Sequence, residues 1–200
     1  MENTRREFIG HLATGAAFVA LGGSTIFMLD GCAFNIQTVL AWVPTATNAI
    51  GNVLTLLAGA GIIACVTCSA LANVALAAIT AVGNAVTAYL NAPATNKTTL
   101  LGKIQTALQA ALSASTAFFE SLTIPDQNIF NLIVGIASLV LSAISGFIGQ
   151  LGGGTPVAAS VRMAQKSVSY SPKVYTSVSA FKGDLNKLYT SYGHPEFVTK

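Results

Sequence analysis

Between Gly31 and Asn96 this 200-residue chain carries no Asp, Glu, Lys or Arg, and between Gln127 and Val161 it again carries none. Segments of that kind must be covered, by each other, by a partner or by lipid, because they hold little that water solvates well. Their internal order is helical. In both runs apolar residues recur at three- and four-residue steps, and no alternation of period two stands out after Cys32. Charged residues make up only 8% of the whole chain, against about 25% in an ordinary soluble domain.

The helices can be read in turn. The first spans about Phe34 to Leu57, with Pro44 expected to kink or break it. Its apolar face is Ile50, Val53, Leu54 and Leu57. Gly59-Ala60-Gly61 is the turn. The second spans about Ile63 to Leu90, with Asn73, Thr80, Asn84, Thr87 and Asn91 aligned in one narrow stripe. A Pro-containing connector, Asn91 to Asn96, leads to the third. That helix is capped by Thr98 or Thr99 and ends near Leu122. Its polar stripe is Thr106, Gln109, Ser113, Thr116 and Glu120; its core face is Leu101, Ile104, Leu108, Leu112 and Phe119. The fourth runs from Gln127 to Leu151, with Asn131, Gly135, Ser138, Ser142, Ser145 and Gly149 at close-packing spacing. Gly152-Gly153-Gly154 reads as a hinge. Beyond it, Thr155-Pro156 opens a short helix to about Lys166. Ser171-Pro172 then starts an amphipathic helix through Val174, Val178, Phe181, Leu185, Leu188 and Tyr192, closed by Gly193 and Pro195. The expected fold is all-α: a bundle of about four long low-charge helices over residues 32–151, with a basic C-terminal helical tail over 152–200.

The N-terminal segment carries motifs of another kind. Thr4-Arg5-Arg6-Glu7-Phe8-Ile9 is a Ser/Thr-Arg-Arg-x-Phe pattern, and an uncharged stretch, His11 to Leu29, follows it. It ends in Leu29-Asp30-Gly31-Cys32. This arrangement resembles the precursor of a bacterial twin-arginine-exported lipoprotein, with residues 1–31 as the signal peptide. The resemblance implies export through Arg5, Arg6 and Phe8, lipid attachment at Cys32, and a place in the cell envelope facing the periplasm or exterior. It also implies transport of an already folded domain, which counts against several spanning helices. Asp30 departs from the pattern, which prefers a small or apolar residue there.

Chemistry-bearing residues are few. Cys65-Val66-Thr67-Cys68 has redox-motif spacing, but no βαβ pattern surrounds it. In an oxidising compartment Cys65 and Cys68 could close a structural disulfide. His194 is the one histidine after the signal, which leaves zinc without a ligand set. The four acids beyond Cys32, namely Glu120, Asp126, Asp184 and Glu196, are too scattered for calcium. No Gly-x-Ser-x-Gly is present, and the triple glycine is not followed by the lysine of a phosphate loop. Eight basic residues against those four acids are too few to argue for nucleic acid. Trp42 suits either a core or a membrane interface.

The reading that follows is a non-enzymatic, lipid-anchored helical module with no cofactor, working through self-association or a protein partner. The alternatives are a membrane-embedded helical oligomer or pore, and a carrier of an apolar ligand held between the helices.

Overall fold

A computed structural model of the chain describes residues 27–29, 32–34, 36–60, 66–151, 159–163 and 166–198. Five helices account for most of them: α1 (Ile36–Gly59), α2 (Val66–Asn91), α3 (Lys97–Glu120), α4 (Gln127–Gln150) and α5 (Val178–Ser191). They form an all-α bundle of four long apolar helices and a shorter C-terminal one. Two short antiparallel hairpins join them, β1 (Phe27–Leu29) with β2 (Cys32–Phe34), and β3 (Ala159–Met163) with β4 (Lys166–Tyr170).

Each of the first three helices buries a stripe with alternating steps of three and four. In α1 it is Val39, Trp42, Ala46, Ala49, Val53 and Leu56; in α2, Cys68, Ala72, Ala75, Ile79, Val82 and Val86; in α3, Ile104, Leu108, Ala111, Ser115 and Phe118. That spacing is the seam along which helices pack side by side. Gly83 admits Val43 from α1, whose Cγ1 would stand 3.3 Å from a Cβ at that position. At one end of the α2–α3 hairpin the Lys97 ammonium lies 5.2 Å from the centre of the Tyr89 ring. At the other, Cys68 Sγ lies 3.5 Å from the Ser121 carbonyl oxygen.

The fourth helix is different. Asp126 caps it, accepting hydrogen bonds from the amides of Asn128 and Ile129 at 2.9 Å each. From Val140 to Ile148 every residue is buried. A helix covered on all sides is the centre of its bundle. Part of the cover is the C-terminal segment. Phe181, Leu185 and Tyr189 of α5 are buried. The Lys173 amide donates to the Ser142 carbonyl at 2.9 Å. A Cβ on Gly146 would overlap the Lys173 carbonyl, and one on Gly135 would press into Leu188 at 2.9 Å. Gly146 is a notch that lets the backbone at Lys173 cross α4 closely, and Gly135 one that seats the Leu188 side chain.

Several local expectations are corrected. Helix α1 runs unbroken through Pro44, which sits on the exposed side, while Thr47 Oγ1 donates to the Val43 and Pro44 carbonyls. Thr98 and Thr99 do not cap α3. A 3-10 turn at Ala94–Asn96 runs straight into it, and the backbone amide of Lys97 bonds Ala94. Of the helix expected from Thr155 to about Lys166, residues 155–158 and 164–165 lie outside the described residues, and 159–163 and 166–170 are strands. Ser-Val-Arg-Met and Ser-Val-Ser-Tyr alternate, and they pair with Val161 opposite Val168, Met163 and Tyr170 being buried. Residues 171–177 are not the first turns of a helix: the Lys173 amide bonds Ser142 of α4, and the Thr176 carbonyl accepts from Thr38 of α1. Helix α5 starts at Val178 with Ser177 as its cap, bonding the Ala180 amide at 3.3 Å. It closes at Gly193, whose φ of +80° suits glycine. Asp30-Gly31, between β1 and β2, is also the dipeptide favoured in two-residue hairpins. The hinge at Gly152 to Gly154 lies outside the described residues.

The notch gives a direct test. Gly146→Ala should destabilise the fold by about 1–3 kcal/mol, since the added methyl meets backbone that must shift. Gly51→Ala, where a Cβ meets nothing within 4 Å, should instead stabilise by about 0.5–1 kcal/mol. Denaturant unfolding of the two variants in the same solvent checks the opposite signs.

Candidate functional site in the apolar helices

Three helices, residues 36–59, 67–91 and 127–150, are long and apolar enough to cross a membrane, by length and composition. None contains a charged residue. They differ in what covers them. The apolar window of α4 is 72% buried inside the bundle, that of α1 44% and that of α2 33%. A peripheral module hanging from a lipid has to hide its span-length apolar helices within itself. More than half of α1 and α2 stays outside this core. The expectation of a lipid-anchored, otherwise peripheral module is therefore overturned, and membrane embedding fits the helices better.

The outward surface of α2 is made of Ala, Ser, Thr and Asn. Asn73, Thr80, Asn84, Thr87 and Asn91 all lie exposed, as the stripe predicts, and Val74 is the large apolar residue among them at 56% exposure. Thr80 and Thr87 return their hydroxyls to the carbonyls one turn back, at 2.9 Å. Their protons are thus satisfied within the helix, and the methyls face outward. The asparagine side chains project as uncharged polar groups. On α3, Thr106, Gln109 and Ser113 are likewise exposed.

The second feature is the seam between α4 and the C-terminal segment. Trp42 is fully buried, packed edge-on against Phe147 of α4 and Phe181 of α5 with ring centres 5.5 and 6.0 Å away. It is a core residue, and its Nε1 has no protein partner, as with Ser115 Oγ. Tyr170 of β4 is buried against the bundle, and that burial raises its pKa. Asn52 Nδ2 donates to the Tyr189 hydroxyl at 3.0 Å, and Thr38 Oγ1 to the Thr176 carbonyl at 3.4 Å. Outside this seam Asp184 gathers three groups. Lys173 Nζ lies 2.5 Å from Oδ2, the Tyr175 hydroxyl donates to the same oxygen at 3.1 Å, and Lys187 Nζ lies 3.8 Å from Oδ1. The bond from Lys173 holds the Asp184 carboxyl below its ordinary range. Burial pushes the Tyr175 hydroxyl up to about 12.

The residues singled out from the sequence fall as follows. Arg5, Arg6, Phe8 and Cys65 lie outside the described residues. Cys32 is in β2, with its backbone alone described. Cys68 is buried at the start of α2 and disulfide-bonded. Its contact with Ser121 is thus a sulfur–oxygen approach without a proton to donate. His194 Nδ1 lies 2.8 Å from Glu196 and its ring stacks on Phe197. Asp184 is engaged elsewhere, so the two do not form a dyad. Among the described residues no three His, Cys, Asp or Glu side chains gather into a metal site. The seam was missed from the sequence because Lys173, Tyr175 and Asp184 come together only when residues 171–177 cross α4. No family model, curated protein or solved structure matches the chain.

The Asp184 cluster has a pH signature. Its pKa is lowered on folding, so its stabilisation is complete above the ordinary carboxylate value and is lost as pH falls through the folded one. Asp184→Asn should remove the part of the acid destabilisation that sets in below the usual 3.8. At neutral pH it should cost roughly 0.5–1 kcal/mol, because Lys173 is half exposed. Thermal midpoints measured across pH for both proteins check this.

Proposed function

We propose that this chain works inside a membrane, as an embedded helical assembly of the oligomer or pore kind. The observation that carries the reading is the pairing of span length with incomplete cover. Helices α1 and α2 have no charge, and most of each lies outside the core. Uncharged helices of about 20 residues or more satisfy the length and backbone demands of a bilayer. The end of α2 supports this. Tyr89 with Lys97 above its ring is the pairing expected at a lipid–water boundary, where an aromatic ring and a long basic side chain both anchor.

The outward faces favour an assembly over a lone span. Lipid contact is best served by Leu, Ile, Val and Phe. The α2 surface instead offers small residues and asparagines, which pack and hydrogen-bond between helices. A second copy, or water in a lumen, satisfies Asn73, Asn84 and Asn91 where acyl chains do not.

We further propose that residues 1–32 deliver the chain, with Arg5 and Arg6 read as an export signal. Transport in a folded state is compatible with embedding, because α4 is covered in the folded chain.

Three measurements test these statements. Full-length protein with Cys32→Ala, which no lipid can anchor, should stay with membranes through an alkaline carbonate wash. Complete release as a monomer would overturn the embedded reading. Asn73→Leu with Asn84→Leu should leave that retention intact while reducing cross-linked oligomer and solute leakage from vesicles. Arg5→Lys with Arg6→Lys should keep the chain on the side of synthesis, as read by protease accessibility.

A further inference from the structure

The helix with the strongest membrane character among the three is the one most completely hidden, and what hides it in part is charged. Over Val140 to Ile148 the surface of α4 is closed. The segment from Tyr170 to Tyr192 supplies much of that closure, and it brings Lys173, Lys182, Asp184 and Lys187 with it. Lys173 and Lys187 are exposed and Lys182 and Asp184 half-buried, while Tyr175, Phe181, Leu185 and Tyr189 are buried. With this cover in place, that side of α4 cannot meet acyl chains without carrying lysines and a carboxylate into the hydrocarbon.

The attachment is built for docking. The strap's own backbone bonds α4 through Lys173 and Ser142, and the groove at Gly146 receives the Lys173 carbonyl. Leu188 sits over Gly135, and Phe181 closes on Trp42. The strap is also stapled to itself, since Lys173 and Tyr175 both reach Asp184 across the turn into α5. Both the groove and the staple act on the same crossing.

We infer that the segment Tyr170–Tyr192 is a releasable strap, which keeps α4 out of the membrane while docked and admits it when displaced. The inference rests on the embedded reading and adds the step that decides when α4 joins it. Displacement uncovers Ser142, Ser145 and Gly146, the side of α4 with the smallest residues. It also uncovers Trp42, the chain's single tryptophan, which thereby becomes a reporter of the change.

The experiment locks the strap. Full-length protein carrying Cys32→Ala, Gly135→Cys and Leu188→Cys is treated with a bimane cross-linker under non-reducing conditions, which leave the Cys68 disulfide closed. Locked and untreated samples are mixed with phosphatidylcholine–phosphatidylglycerol vesicles containing brominated acyl chains. In the untreated protein Trp42 fluorescence should be quenched and α4 should resist added protease. The lock should abolish the quenching, whereas α4, covered in the docked fold, should resist protease in both samples. Asp184→Asn with Tyr175→Phe, which removes the staple without touching α4, should raise quenching above wild type. Equal quenching in locked and untreated protein would overturn the strap and leave the embedded reading standing. Retention of α1 and α2 in vesicles with no Trp42 quenching in any sample would also overturn it alone. A wild-type chain that never enters the vesicles would remove both.

Discussion

Everything in this fold answers to the need to cover α4. It is a 24-residue helix without a charge, and its apolar side chains project in all directions. Helices α1, α3 and α5 and strand β4 lie against it, and where bulk would prevent contact the sequence supplies Gly135, Ser142, Ser145 and Gly146. The contact with the C-terminal segment is correspondingly close. It is made backbone to backbone at Lys173 and Ser142, a contact that a β-carbon on Gly146 would block. Small residues on α4 thus do for a crossing strand and a short helix what they do between long helices in a membrane.

The regular parts of this arrangement were legible before any coordinates. The polar stripe of α2 lies outward and the core face of α3 inward, because a 3.6-residue period fixes which residues share a side whatever they pack against. The small residues of α4 were visible too, though not their partner. What could not be read was tertiary. Lys173 and Tyr175 sit in a stretch whose composition suits a helix start, yet the Lys173 amide bonds Ser142 of α4. Propensity is local, and a hydrogen bond to a residue about thirty positions earlier overrides it. The β3–β4 hairpin had a signal, the alternation Ser-Val-Ser-Tyr, but Ala164-Gln165 between its strands carries none of the usual turn residues. At the other hairpin the reverse holds. Asp30-Gly31, read as part of a lipidation box, is also a favoured turn pair by sequence, and both residues lie outside the described ones.

The pairing of a covered α4 with open α1 and α2 divides the labour among three helices of similar length. A fully sequestered set would make a peripheral bundle, and a fully open set would have no core. Here the most apolar side chains, including Trp42, Phe147 and Ile144, are spent on the interior. The outward surface is left to alanine, threonine and asparagine. Such a surface gains little from acyl chains and much from a matching helix, so its behaviour depends on what it meets.

Helix α3 turns that dependence into a constraint on the assembly. It packs along the whole of α2, from Lys97 over Tyr89 at one end to Ser121 beside Cys68 at the other. Its own polar residues keep it from being a span by composition, with Lys103 and Gln109 both exposed. If α2 crosses the bilayer with this hairpin intact, α3 crosses beside it, and Thr106, Gln109, Ser113 and Lys103 are carried into the membrane. A lysine and a glutamine facing acyl chains are costly, and the cost is avoided where they face water or a hydrogen-bonding neighbour. A single embedded copy provides neither along that face. Several copies do, by turning their α3 helices toward a shared axis and their α1 helices toward lipid. On the proposed embedded reading, the hairpin geometry favours one form of embedding over the other. A lone spanning monomer leaves the α3 face unsatisfied, whereas an oligomer around a polar centre satisfies it with the residues already present.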